Sequence, residues 1–325
     1  MHTVIENHDA RFQEHWNTLY SNDPWQNPLY FSEGDAENLP VSAGSPGDYR
    51  DRSFLVVSDD QPVFGCSLTL HIDAQGKKRL GYFGMEASTH VNRATMMTPS
   101  NNFQPEAIRL LQQHIDSILM EENPSFIDYL DPVSCGIMSP VTQVLLEKGG
   151  RPTVQQVQVI DLKQSERTLY RQICKPYREA IRWGKKNLTL DIVSGESAAP
   201  EQFAEQHASM LERSVALRNY IELVRWGQGF LVQCKHKSEI VASALFVNSN
   251  KTCQFVIGDL RDCGLPERVV HTLFWQGIVV GKYLNCDQFD LGYSATELMS
   301  QVADDLTPEQ FGGTSHTRLR VSLTQ

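Results

Sequence analysis

The chain has 325 residues, 41% of them hydrophobic and 21% charged, with a formal net charge of −10. That length exceeds one ordinary hydrophobic core and sets an expectation of two domains of about 150 residues each. No apolar run approaches the roughly 20 residues that cross a bilayer, so membrane insertion is not expected. The acidic balance excludes general affinity for nucleic acid, and any polyanion would have to meet a local basic patch.

The opening stretch MHTVIENHDARFQEHW lacks the basic start and apolar core of a secretory signal, which gives a cytoplasmic expectation. Trp25 and Tyr30 follow, aromatics suited to lining a substrate cleft, and then a loop rich in Gly, Pro and Ser around residues 36–51. From Phe54 the segment FLVVSDDQPVFGCSLTLHI reads as strand, polar turn, strand. Next, RLGYFG reads as a strand ending at Gly84, with Phe83, Gly84 and Glu86 leading into polar residues as candidate substrate contacts. Pro105-Glu106 opens a helix, since proline suits a first turn and glutamate the positive end of the helix dipole. An apolar-Asp-apolar strand, Ile127-Asp128-Tyr129, then follows.

The same order returns later in the chain. FLVQCKHKSEIVASALFVN from Phe230 aligns without a gap on the first hairpin, CQFVIG ends at Gly258, Pro266-Glu267 opens a helix, and Phe289-Asp290-Leu291 repeats the Asp strand. The reading is a duplicated α/β (α+β) module, each copy a mixed, mostly antiparallel sheet flanked by helices. The boundary falls after the alternating strand Val157–Leu162, giving domains 1–160 and 161–325.

At the start of the second domain, RQICKPYREAIRWGKK places Arg171, Lys175, Arg178, Arg182, Lys185 and Lys186 within an arc of about 100° on a helix. Pro176 is expected to divide it. Arginine forks and lysine point charges suit phosphate, so Lys175, Arg178, Arg182, Lys185 and Lys186 are candidates for holding a phosphorylated donor; a solvated helix face is the bland alternative. On the strand at 288–293, Asp290 is a candidate to hold or deprotonate an amine, or else to anchor a helix end or pair with an arginine, a reading that the matching Asp128 of the first copy favours. Gly292 allows close backbone approach, and Tyr293 could protonate a leaving group. Seven cysteines, odd in number and without a Cys-x-x-Cys pair, read as reduced, mostly buried thiols, and ten scattered histidines offer no metal set.

KPYREAIRWGKKNLTLDIV, LPERVVHTLFWQGIVVGKYL, FDLGY and the late QFGG together resemble the Fem-type aminoacyltransferases and their polysaccharide-cluster relatives. The resemblance covers the C-terminal half well and the N-terminal half more loosely, through EHWNTLYSNDPWQNPLYF, LGYFGMEAS and FIDYLD. It implies two tandem acetyltransferase-like (GNAT) domains, and acyl or aminoacyl transfer to the amine of a small molecule or amino sugar. The donor would be an aminoacyl-tRNA or an acyl group on CoA or acyl carrier protein, with no bound cofactor; the basic patch would meet the tRNA in the donor half, leaving the first unit and the interdomain cleft for the acceptor. A non-catalytic GNAT-fold module for a phosphorylated ligand or partner is the competing class. The chain departs from the Fem pattern in having Thr307-Pro308-Glu309-Gln310 where a lysine precedes Phe-Gly-Gly, and in lacking a coiled-coil insertion. Asp262–Glu267 also lacks the glycines and basic charge of the pyrophosphate loop of acyl-CoA enzymes.

Overall fold

The computed structural model describes residues 2–23, 47–81, 96–97, 105–131, 138–195, 223–260, 266–292 and 307–324. They divide into two compact units, the first drawn from residues 2–155 together with 317–324 and the second from 156–316. The fold is mixed α/β in both, with mostly antiparallel strands.

In the first unit, β1 (His2–Glu6), β3 (Phe54–Ser58), β4 (Gln61–Cys66) and β7 (Met96–Met97) form a small sheet in the order β1-β3-β4-β7. β3 is apolar at consecutive positions because both its faces are buried, as an alternating surface strand would not be. Leu55 and Val57 pack with Phe12, Trp16 and Leu19 of helix α1 (Phe12–Asn22). Phe54 and Val56 face the other way, into a core with Leu111, Ile115 and Ile118 of α2 (Pro105–Glu122).

The main sheet of this unit contains β2 (Gly47–Asp51), β5 (Thr69–Asp73), β6 (Lys78–Gly81) and β8 (Phe126–Leu130). Leu70, Leu80, Ile127 and Tyr129 of these strands pack on α2 and on α3 (Pro140–Glu147), whose first turn is capped by the Ser139 hydroxyl. β6 and β8 are parallel, with Arg79, Leu80 and Gly81 opposite Phe126, Ile127 and Asp128, and α2 is the crossover between them.

The second unit repeats this plan. β10 (Thr189–Val193), β11 (Gly229–His236), β12 (Glu239–Asn248) and β13 (Thr252–Leu260) are successive antiparallel neighbours. Helix α6 (Pro266–Tyr283) crosses over to β14 (Gln288–Asp290), which is parallel to β13. Helices α4 (Glu166–Gln172) and α5 (Lys175–Asn187) precede β10, and with α6 they cover one face through Leu169, Tyr177, Ile181, Leu273, Phe274 and Trp275. Gly184 lets α5 approach α6: a Cβ there would lie 1.9 Å from Thr272 Oγ1.

The ungapped hairpin alignment holds for the strands but not for the turns. Both hairpins turn on two residues of positive φ, Asp59-Asp60 and Lys237-Ser238, the backbone of a tight hairpin turn. The first falls two residues earlier in the alignment. Its second strand then breaks at Ser67-Leu68 into β4 and β5, which lie in different sheets, where β12 is continuous. The strand expected to end at Gly84 is described only as far as Gly81.

Each Asp strand is completed from the other sequence half. β14 pairs antiparallel with the end of β9 (Arg151–Asp161), Asp290 opposite Val159. β8 pairs antiparallel with the end of β15 (Thr314–Thr324), Asp128 opposite Ser322. On β15, Arg320 donates from Nε to Asp128 Oδ1 at 2.8 Å and from Nη2 to Oδ2, fastening the exchanged strand to a carboxylate that is 1% exposed. Removing the arginine leaves that buried charge uncompensated. Arg320→Met is therefore expected to cost about 3–5 kcal/mol, read as a lower urea midpoint, whereas Asp128→Asn combined with Arg320→Met should recover most of the loss.

Candidate active site

The division of the basic helix occurs where Pro176 directs it. α4 ends at Gln172, Cys174 occupies the N-cap, and Pro176 sits in the first turn of α5. Arg171 thus belongs to α4, and the remaining cations to α5. Arg178 is half-buried and turns back, its Nη1 donating to the carbonyls of Arg171 at 2.9 Å and Ile173 at 2.7 Å. It thereby satisfies carbonyls that the end of α4 leaves open. Lys175, Arg182, Lys185 and Lys186 are exposed. Arg182 lies 4.0 Å from Glu179, both in solvent, a pair worth little. Lys185 stands over the rings of Tyr170 and Trp275, at 6.0 Å and 5.6 Å.

The QFGG turn is tied to this helix. Cys174 donates its backbone N–H to the Gln310 carbonyl at 2.9 Å, and Tyr177 Oη both donates to the Thr307 carbonyl at 3.2 Å and accepts from its N–H at 2.9 Å. Phe311 enters the core against Tyr177 and Phe274, with ring centroids 5.0 Å and 5.7 Å away. Gly312 and Gly313 make the expected turn into the last strand at φ +87° and +86°. A Cβ on Gly313 would stand 2.2 Å from the Val159 carbonyl oxygen, and Gln158 Nε2 holds the Gly312 carbonyl at 2.6 Å.

Asp290 is 2% exposed, and its Oδ1 accepts the N–H of Gly292, which lies at φ +64°, at 2.8 Å. The carboxylate therefore shapes the turn that leaves β14. Only Thr252, Cys253 and Gln254 of β13 pair with β14; Leu291 then donates to the Gln158 carbonyl on β9 instead. Beyond Gln254, β13 continues to Leu260 with ladder partners, among the described residues, on β12 alone. The divergence has a local cause, a bulge at Val256 between the pairs Phe246–Phe255 and Leu245–Ile257. Among the described residues, the parallel pair thus ends at Gln254–Asp290, and the following residues of β13 have no strand partner on that side.

The bulge also gathers polar groups that strict alternation separates. Gln254 and Asp259 are five residues apart, on opposite faces of an ideal strand. With the bulge, Gln254 (opposite Val247) and Asp259 (opposite Ser243) share the face away from α5 and α6, as does Asp290 opposite Gln254. The Ser243 hydroxyl is buried there without a hydrogen-bond partner among the described residues. Ser243, Gln254 and Asp259 were not singled out from the sequence, because their signal, single polar residues in apolar strands, depends on a register that the bulge alters.

Of the other residues expected at the site, Trp25, Phe83, Gly84, Glu86 and Tyr293 lie outside the described residues. Cys66, Cys234, Cys253 and Cys286 are buried and Cys174 is partly buried, and all five are thiols outside any disulfide. Burial pushes the thiols of Cys234 and Cys286 up to about 12 and that of Cys253 well above its ordinary value. None of these three supplies a thiolate nucleophile near neutral pH. No cluster of metal-ligating side chains and no helix long and apolar enough to cross a membrane occurs among the described residues.

A parallel strand pair joined by a crossover helix recurs in both units, and solved structures show this to be the fold of tandem GNAT-like acyltransferases. The structure titled FemX superposes with a TM-score of 0.65 at 12% identity, covering 100% of this chain and 97% of that one. A tandem GNAT protein from the clavulanic acid biosynthesis pathway gives 0.58 at 10% identity, with 100% and 98% covered. L-PGS from Bacillus licheniformis gives 0.53 at 10% identity, with 95% and 90% covered. No protein-family model and no curated protein sequence matches the chain.

Gly313→Ala combines the strain of positive φ with a clash against Val159, so it should unfold the second unit or lower the melting temperature by many degrees. Gly76→Ala, at φ +76° with nothing within 4 Å, should cost only about 1–2 kcal/mol. Thermal denaturation of the two variants side by side checks the difference.

Proposed function

We propose that the protein is an N-acyltransferase, forming an amide by moving an aminoacyl or acyl group from an ester or thioester to the amine of a small molecule or amino sugar. The observation that carries this reading is the end of the β13–β14 pairing at Gln254, beyond which the residues of β13 have no strand partner on that side among the described residues. Backbone N–H donors on such a strand can stabilise an oxyanion without reorganising as charge develops. The substrate amine attacks the carbonyl, the C–N bond forms, the C–O or C–S bond breaks, and the alkoxide or thiolate leaves with a proton.

The amine proton needs an acceptor near the end of that pairing. Asp290, buried and oriented by Gly292, is the candidate the sequence offers, and Asp259 on the same sheet face is the one the bulge adds. Tyr293 is the proposed donor to the leaving group. The three buried thiols with raised pKa favour direct transfer over a covalent intermediate on them.

For the donor, the exposed cations Lys175, Arg182, Lys185 and Lys186 suit phosphate, and the Fem-type resemblance suggests an aminoacyl-tRNA. An acyl-CoA or acyl carrier protein is the other donor, and Asp262–Glu267 weighs against the CoA form. The proposed location is the cytoplasm, where such donors occur. That same Asp262–Glu267 sequence favours a second reading, a non-catalytic module that binds a phosphorylated ligand.

Mass spectrometry of reactions containing charged tRNAs or acyl-CoAs with a panel of amines should detect a new amide; no product from any pairing would leave the binding-module reading. Asp290→Asn keeps an oxygen for the Gly292 N–H, so stability should hold while turnover falls by about 100-fold or more if the carboxylate takes the proton. Unchanged turnover would assign Asp290 to architecture. Reversing Lys175, Arg182 and Lys186 to Glu should weaken tRNA binding and flatten its dependence on log salt by about 0.7–0.9 per lost phosphate contact.

A further inference from the structure

The two units share one plan, so equivalent positions that differ chemically show what the plan does not require. In the first unit, the sheet face away from α2 and α3 carries His71 opposite Arg79 and Arg79 opposite Phe126, with Asp128 and its partner Arg320 beside them. Asp128 corresponds to Asp290. Counting along the paired strands, Arg79 then corresponds to Thr252, and Arg320 corresponds to Val157. The second unit builds the same strands with a threonine and a valine. The fold itself therefore asks for neither arginine.

Arg320 is engaged by Asp128, but Arg79 is not matched in this way. It is half-buried on an interior strand and makes no hydrogen bond or ion pair among the described residues. Asp73, two residues from His71 on β5, accepts the N–H groups of Gln75 and Lys77 in the adjoining turn. A guanidinium that has lost part of its water and gained no partner is unfavourable unless something else supplies one. Its planar fork suits two oxygens of one anion, and the buried His71 next to it adds a second donor surface.

We infer that this face of the first unit binds an anionic group, a carboxylate or a phosphate, with the Arg79 guanidinium as its fork and His71 and Arg320 lining it. Resting on the acyltransferase reading, the anion is carried by the acceptor, so the molecule acylated is an acidic amine such as an amino acid or an amino-sugar phosphate. The anion site itself needs no turnover to be tested.

The test titrates acetate and inorganic phosphate into the protein with Lys175, Arg182 and Lys186 changed to Glu, which silences the other basic face, and follows thermal stability and binding heat. One of the two anions should bind, and which one binds tells carboxylate from phosphate. Arg79→Thr, which installs the residue of the second unit, should weaken that binding at least tenfold. Arg79→Lys keeps the charge and loses the fork, so it should weaken binding several-fold, and it stands in if the threonine variant does not fold. Binding of neither anion, or equal binding by the Arg79 variants, overturns the inference. Amide formation without anion binding would sink this site alone, whereas anion binding without amide formation would sink only the transferase reading.

Discussion

The parallel pairs β6–β8 and β13–β14 each have one flank that their own half of the sequence does not fill. An interior strand with a buried carboxylate cannot end a sheet: its unpaired peptide groups and its charge would both lose water without compensation. The chain meets the constraint twice, by bringing β15 against β8 and β9 against β14. The location of the QFGG turn, the approach of Gly313 to β9 and the Arg320–Asp128 pair all follow from it.

Legibility in the sequence tracked how local the cause was. The order of strands, the crossover helices opened by Pro105 and Pro266, the break near Pro176 and the QFGG turn all rest on short-range chemistry, and each could be read from a few residues. The exchange of strands could not be read, because β15 looks like an ordinary last strand until its partner is known. The switch of β4 to β5 between sheets was hidden for the same reason. At the site, Asp290 was visible as a carboxylate in an apolar strand, but Asp259 and Ser243 needed the bulge at Val256. Arg178 carried the cationic pattern as well as its neighbours did, and only its contacts with the end of α4 set it apart.

The two units carry one plan of a parallel strand pair with a buried aspartate, in different surroundings. In one, an aspartate fastens a neighbouring strand through an arginine; in the other, an aspartate forms the turn at which the strand leaves the sheet. The same position on the plan thus serves two different tasks. The cations are divided in a similar way: a row on the outside of α5 in one unit, and a half-buried guanidinium on the sheet face in the other.

The exchanged strand also sets a timetable for synthesis. Arg320 reaches back 192 positions to Asp128, and the first unit's sheet lacks its β15 neighbour until residues 317–324 have been made. At about 5–20 residues per second, the ribosome adds that intervening stretch in roughly 10–40 s. Throughout that interval the first half carries an open strand edge with a bare aspartate on it. Such an edge invites pairing with a second nascent chain, and a charge on it, unfavourable when buried alone, opposes pairing with an identical edge.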